Sequence, residues 1–185
     1  MSGPDERPRP FIVTAELPTD LLAWADALRR AHFPPERNHL AAHVTLFHAF
    51  APSLRDELKP LLARLAARFG PVPARVCGVM NLGPGTAIAL DSPEMLALRE
   101  AIAEHFHGAL TAQDSHPPRL HVTIQNKVEP GVAQRLQQAL AGTIRERGFA
   151  FAGLGLHRYI GPRWEPVGTW PFRGNQVVDR RALHS

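Results

Sequence analysis

The residues best suited to chemistry in this chain come in two matched sets. His43-Val44-Thr45 recurs as His121-Val122-Thr123, and a large aliphatic residue follows each copy, Leu46 or Ile124. In a strand, side chains alternate between faces, so His43, Thr45 and Phe47 share one face while Val44, Leu46 and His48 share the other. By the same alternation His121, Thr123 and Gln125 lie together, opposite Val122 and Ile124. The apolar members can pack under helices, which leaves each histidine and threonine on the open face of its sheet. If the two open faces meet across one cleft, two imidazoles and two hydroxyls converge from distant parts of the chain. Such a set suits acid–base cleavage at phosphorus. A neutral imidazole takes a proton from the nucleophile, and an imidazolium gives one to the leaving oxygen. The threonine hydroxyls donate to non-bridging phosphate oxygens. Neither role needs a metal. A zinc site would want a further carboxylate or cysteine close to the two histidines, and the motifs bring none. His48 lies on the far strand face. His32, His39, His105, His107, His116, His157 and His184 have no repeated partner and are read as structural or surface groups.

The elements that must position these motifs alternate along the chain. Phe11 to Leu17 is β-rich; Thr19 is read as the cap of a helix to about 32, with Leu21, Leu22, Trp24, Ala25 and Leu28 as its apolar stripe. Residues 43–50 form the first motif strand. Ser53 then caps a helix to about 69 that Gly70 ends. Strands follow at about 72–82 and 85–90, joined through Gly83-Pro84. Ser92-Pro93 opens a helix to about 108, and 120–128 is the second motif strand. A helix over about 131–147 stops at Gly148, and strands at about 149–160 and 164–172 close the fold. An offset of 78 positions lays 43–84 on 121–162 without a gap. It matches the motif, Pro52 with Pro130, Leu58 with Leu136, Leu62 with Leu140, Gly70 with Gly148, and Gly83-Pro84 with Gly161-Pro162. These are positions that set an architecture. The chain is therefore read as an internally duplicated α+β protein of β-α-β-α-β units with pseudo-two-fold symmetry. The first repeat spans about 11–84 and the second about 85–172, within one bilobed domain over 10–172; residues 1–9 and 174–185 are read as loose ends.

Composition adds bounds. With 185 residues, 44% hydrophobic and 21% charged, the chain matches an ordinary globular domain. A net charge of +4 favours a phosphate-bearing ligand weakly, and no basic block resembles a nucleic-acid arm. The single cysteine, Cys77, excludes an internal disulfide, and its apolar setting reads as a buried thiol. No stretch is apolar enough to span a membrane, and the polar, proline-rich start has no signal-peptide core, so the cytoplasm is the default expectation. No cofactor and no obligate protein partner is inferred.

Two His-x-Thr-x motifs in a duplicated α+β chain of this length resemble the 2H phosphoesterase superfamily, and its 2′-5′ RNA ligase-like branch in particular. The resemblance covers about residues 10–172. It implies antiparallel-rich sheets lining a central cleft, with helices outside. It also implies hydrolysis of 2′,3′-cyclic phosphates of RNA or nucleotides, or reversible 2′-5′ ligation. On this resemblance His43 and His121 are the catalytic pair and Thr45 and Thr123 hold the phosphate, with His121 as base and His43 as acid, although a symmetric site allows the exchange. The chain departs from the better-known pattern after the second motif, where it runs Gln125-Asn126-Lys127-Val128. That leaves the substrate open.

Gln125, on the catalytic face, is a candidate contact for a base or sugar, or simply for a backbone group. Tyr159, Arg163 and Trp164, near the repeated Gly-Pro turn, are candidates for a stacked base and its phosphate, against the plainer reading of a packed aromatic hairpin. Phe47 reads as cleft floor. The leading expectation is a metal-independent cyclic phosphodiesterase acting on RNA ends or nucleotide cyclic phosphates. The alternatives are 2′-5′ RNA ligation at the same site, a non-catalytic RNA-end binding module, and an esterase for a small cyclic nucleotide.

Overall fold

In the computed structural model, which describes residues 9–184, the β-rich segments become strands β1 (Phe11–Glu16), β2 (Val44–Phe50), β3 (Val72–Asn81), β4 (Thr86–Asp91), β5 (His121–Gln125), β6 (Arg147–Phe151), β7 (Gly153–Tyr159) and β8 (Trp164–Pro171). The helices are α1 (Thr19–His32), α2 (Arg55–Arg68), α3 (Pro93–His105), α4 (Pro130–Ala141) and α5 (Arg180–Leu183). The strands make two four-stranded sheets with orders β2-β1-β7-β8 and β5-β4-β3-β6. Every pairing in them is antiparallel. The α+β duplicated architecture expected from the sequence is therefore present.

The sheets are not built one from each repeat. β1 and β2 of the first repeat share a sheet with β7 and β8 of the second, joined through the β1–β7 ladder, while β3 of the first repeat lies between β4 and β6 of the second. Each sheet thus needs strands from both halves of the chain. Helix α1 reaches over as well, packing against β5 of the other sheet. The repeated turns keep their equivalence: Gly83 (φ 79°) and Gly161 (φ 122°) both adopt the positive φ that glycine tolerates best.

Boundaries differ from the expectations where local signals compete. Thr19 lies inside α1, and Pro18 occupies its N-cap position without a side-chain cap. Ser53 falls in a single 3-10 turn, Pro52–Leu54, that precedes α2. Ser92 does cap α3, its hydroxyl accepting from the Met95 N–H at 3.0 Å. Helix α4 ends at Gly142, well before Gly148. The segment read as one strand over 149–160 is two, broken at Ala152. Cys77 is only half-buried, because alternation along β3 turns Val72, Ala74, Val76 and Met80 inward and leaves Cys77 on the outer face with Arg75. The expected loose N-terminus lies mostly outside the described residues. The C-terminal segment is tied down: the Gly174 N–H donates to the Phe69 carbonyl, Phe69 and Gln176 form a parallel bridge, and Val178 is buried.

The first motif strand is fixed from behind by a buried polar network. Asp114 accepts from the His48 and Ala49 backbone N–H groups at 2.9 Å and from His48 Nδ1 at 3.0 Å. Arg99 of α3 donates to the Leu46 carbonyl at 3.3 Å and to the Asp114 carbonyl. The hydrogen bonds from His48 and Ala49 hold the Asp114 carboxyl below its ordinary pKa, outweighing burial, which pushes the other way. A lowered native pKa means that its stabilisation is full above about pH 4, the unfolded value, and is lost as pH falls through the native one. Asp114→Ala strands two amide donors, and we expect about 3 kcal/mol of destabilisation at pH 7 in urea unfolding. That difference should shrink on acidification; a pH-independent difference would contradict the assignment.

Candidate active site

Each motif histidine is oriented by its own strand entry. The His43 Nδ1–H donates to the Ala41 carbonyl at 2.8 Å, and the His121 Nδ1–H donates to the Arg119 carbonyl at 2.6 Å. Both bonds run to the residue two positions earlier, so the pseudo-symmetry extends to tautomer and ring direction. Each Nε2 is left as the working nitrogen, acceptor when neutral and donor when protonated. Thr45 and Thr123 are partly exposed beside them, while Val44, Leu46, Val122 and Ile124 are buried. The expected alternation therefore holds through both motifs.

It fails just beyond them. Between the pairs Val13–Phe47 and Thr14–Thr45 the ladder of β1 and β2 shifts register. Leu46 and Phe47 are both fully buried as a result. Phe47 is core, under the Arg99 guanidinium at 4.2 Å, and not the floor of the cleft. In β5 the register shifts between Thr86 and Ala87, and Gln125 is turned inward. It is 4% exposed, and its amide oxygen accepts from the Thr86 hydroxyl at 3.0 Å. Gln125 thus braces the sheet through the side chain of Thr86, where the sequence suggested a base, a sugar or a backbone group as its partner.

The structure brings together what sequence could not. Arg29 on α1 is 3% exposed; its Nε donates to the Asn38 side-chain oxygen at 3.1 Å and its Nη1 to the Thr123 carbonyl at 2.7 Å. One turn earlier, Asp26 accepts from the Ala42 N–H at 2.6 Å. The same face of α1 thus holds the chain beside His43 and the strand that carries His121. Arg29, His43 and Thr123 line one cavity of about 550 Å³, with Arg37, Lys127 and Tyr159 towards its rim.

Trp164 packs on His43, ring centroids 4.5 Å apart and planes at 57°. Its other neighbour is His157, at 5.6 Å. His157 Nε2 lies 3.1 Å from the Thr14 hydroxyl, which donates to Glu16 at 2.9 Å. These groups and Arg163 line an adjoining cavity of about 340 Å³ on the far side of Trp164. Of the candidates from the final hairpin, Tyr159 and Trp164 flank the first cavity, and Arg163 with Trp164 flanks the second. Sequence reasoning missed Arg29, a charged residue that continues the buried Leu21 and Ala25 face of α1. It also set aside His157, which has no counterpart in the repeat.

Burial holds the His43 pKa down, to about 4 from the ordinary 6.5, against the raising effect of its bond to Ala41; the charges of Arg29, His157 and His121 push in the same direction as burial. Burial also lowers His157, partly offset by Glu16. Burial thus favours the neutral form of the His43 imidazole. A larger hollow of about 870 Å³, between α3 and the C-terminal residues, is lined by Glu94, Glu100, Glu104 and Asp179 together with Arg180 and His184, and neither motif histidine reaches it. Among the described residues no three histidine, cysteine or acidic side chains converge as a metal site, and no helix is long and apolar enough to cross a membrane.

Comparison with known proteins agrees with this geometry. The model of the 2′-5′ RNA ligase superfamily matches residues 17–163. No curated protein matches the chain significantly in sequence. Among solved structures, TT0787 of Thermus thermophilus superposes with a TM-score of 0.62 at 18% identity, covering 91% of this chain and 100% of its own. Escherichia coli LigT complexed with 3′-AMP gives 0.57 at 17% identity, covering 90% and 99%. A further phosphoesterase gives 0.59 at 17%, covering 89% and 99%. At such identities the likeness establishes the fold.

Proposed function

The chain belongs to the 2′-5′ RNA ligase superfamily of 2H phosphoesterases, and from that premise we propose that it is a metal-independent phosphodiesterase that opens a 2′,3′-cyclic phosphate of RNA or a nucleotide. The observation that carries the reading is the matched pair of imidazoles. Each is locked through Nδ1 to the carbonyl two residues earlier, at the strands of two sheets; His43 lines a cavity that also holds a buried arginine, and His121 lies near enough for its charge to act on His43. Escherichia coli LigT, which shares the fold, has been crystallised with 3′-AMP, a nucleoside monophosphate.

The reaction balances on these groups alone. Water attacks phosphorus opposite one ribose oxygen. His43 Nε2, neutral because of its burial, accepts the proton from the water as the new P–O bond forms. Thr45, Thr123 and the Arg29 guanidinium face the charge that builds on the non-bridging oxygens. His121 Nε2–H delivers a proton to the ribose oxygen as its bond to phosphorus breaks, which leaves a phosphomonoester and a free hydroxyl. The family resemblance assigned the opposite roles. The burial of the His43 ring and the proximity of Arg29 favour His43 as the acceptor. Trp164 packs on the His43 ring and holds its orientation.

The test is turnover of nucleoside 2′,3′-cyclic phosphates with the released isomer identified. Activity should persist in chelator. The acid limb of kcat/KM, which reports the free enzyme's base, should lie near pH 4, with activity falling below it. An acid limb at the ordinary histidine value would reverse the assignment of roles. Binding without any turnover would favour an RNA-end binding module.

A further inference from the structure

The first cavity is larger and more cationic than one reacting phosphate requires. Beyond His43 and Thr123 it is lined by Arg29, Arg37 and Lys127, and among the described residues no carboxylate lines it. Arg29 is the telling member. A buried guanidinium is ordinarily matched by an acid, yet its hydrogen-bond partners are the neutral oxygens of Asn38 and Thr123. The acid that acts on it, Asp26, spends one carboxylate oxygen on the Ala42 N–H. The positive charge at the base of the cavity is thus compensated only in part by the protein.

The rim is organised around the same sign. Lys127 takes φ 57°, a left-handed conformation that is uncommon outside glycine and is tolerated best by Asn and Asp. Two bonds hold it there: its N–H donates to the Asn126 side-chain oxygen at 2.8 Å, and Arg37 Nη1 donates to its carbonyl at 3.0 Å. Backbone strain of this kind persists only where the surroundings impose it. Here it brings a lysine and an arginine, from the β5–α4 loop and the turn after α1, to one edge of the cavity. This is the stretch at which the chain leaves the better-known motif, so the departure is a charged feature of the site.

We propose that this end of the cavity is a second anion subsite, and that the substrate carries, besides the phosphate that reacts at His43 and His121, a further phosphoryl group held by Arg37 and Lys127 over the buried Arg29. The inference rests on the cyclic phosphodiesterase reading for the first phosphate. The second group is either a terminal 5′-phosphate on the same nucleoside or the next phosphodiester of a chain. The chemistry is shared, and the ligand set separates the two sources.

Calorimetric titration with stable, product-like ligands needs no turnover. We compare a nucleoside 2′-monophosphate, the matching 2′,5′-bisphosphate, and a dinucleoside monophosphate ending in a 2′-phosphate. One added charge-assisted contact is expected to give roughly tenfold tighter binding or more for at least one of the two doubly charged ligands, weakening as salt rises. The ligand that gains more identifies the source. In the double variant Arg37→Gln, Lys127→Asn, in which asparagine tolerates the left-handed backbone, the preference ratio should fall to near one. Equal affinities for the three ligands in the wild-type protein, or a preference that survives the double variant, would overturn the subsite. If the variant does not fold, the wild-type ratio and its salt dependence decide alone. Preference in binding without turnover of any cyclic phosphate leaves the subsite standing and removes the proposed reaction. Turnover without preference does the reverse.

Discussion

His43→Ala and His121→Ala are each expected to lower kcat on a cyclic phosphate by about 10²–10⁴-fold, the ordinary worth of a positioned acid or base. Single-turnover rates with unchanged far-UV circular dichroism would check this. The losses should not add in the double variant, because one proton relay is broken by either change. The two singles are separable with a substrate whose leaving oxygen is replaced by sulfur, which departs without a proton. That substrate should restore His121→Ala and leave His43→Ala slow. The opposite pattern would exchange the roles, and full activity of either variant on the oxygen substrate would sink the mechanism. Both rings are held by backbone carbonyls, so their removal should disturb chemistry far more than folding.

Arg29→Met should be the most damaging change outside the motifs. It removes the charge beside the phosphate, where one lost donor costs about 10²–10³-fold in kcat. It also strands the Thr123 carbonyl and the Asn38 oxygen, at about 1–3 kcal/mol for each buried group left unpaired. A purely structural arginine would lower stability and activity together but leave the pH profile in place. Here the acid limb of kcat/KM should move upward, because the Arg29 charge is one of the influences that keep His43 deprotonated. Arg29→Lys keeps a cation and should retain the low acid limb while recovering only part of kcat, since an ammonium does not reproduce the planar fork. A limb that stays fixed in Arg29→Met would confine the residue to bracing.

The α1 residues Asp26 and Arg29 explain how two half-sites become one. Repetition could produce two motif strands independently, but something must set their distance. A single helix face does so, with Asp26 on the Ala42 amide and Arg29 on the Thr123 carbonyl. Its partner on the other side, Arg99, performs a similar task for β2 through the Leu46 carbonyl. The strands crossing between repeats add to this, since neither sheet is complete without both halves of the chain.

What the sequence determined by itself was local and periodic: the two His-x-Thr sets, the alternation that hides Val44, Leu46, Val122 and Ile124, the Ser92 cap, the repeated glycine turns and the duplicated α+β plan. Each is written in nearest neighbours or in a fixed offset, so no folded partner is needed to read it. Bulges removed Phe47 and Gln125 from the catalytic face, because a register shift depends on the facing strand and leaves no mark in its own residues. The exchange of β3, β7 and β8 between sheets is likewise a matter of pairing between distant segments. The buried Arg29, the His157 that shares Trp164 with His43, and the low proton affinity of His43 were decided by tertiary structure alone. Burial and Coulomb effects act through space, and residues far apart along the chain meet only after both sheets have closed on the cleft.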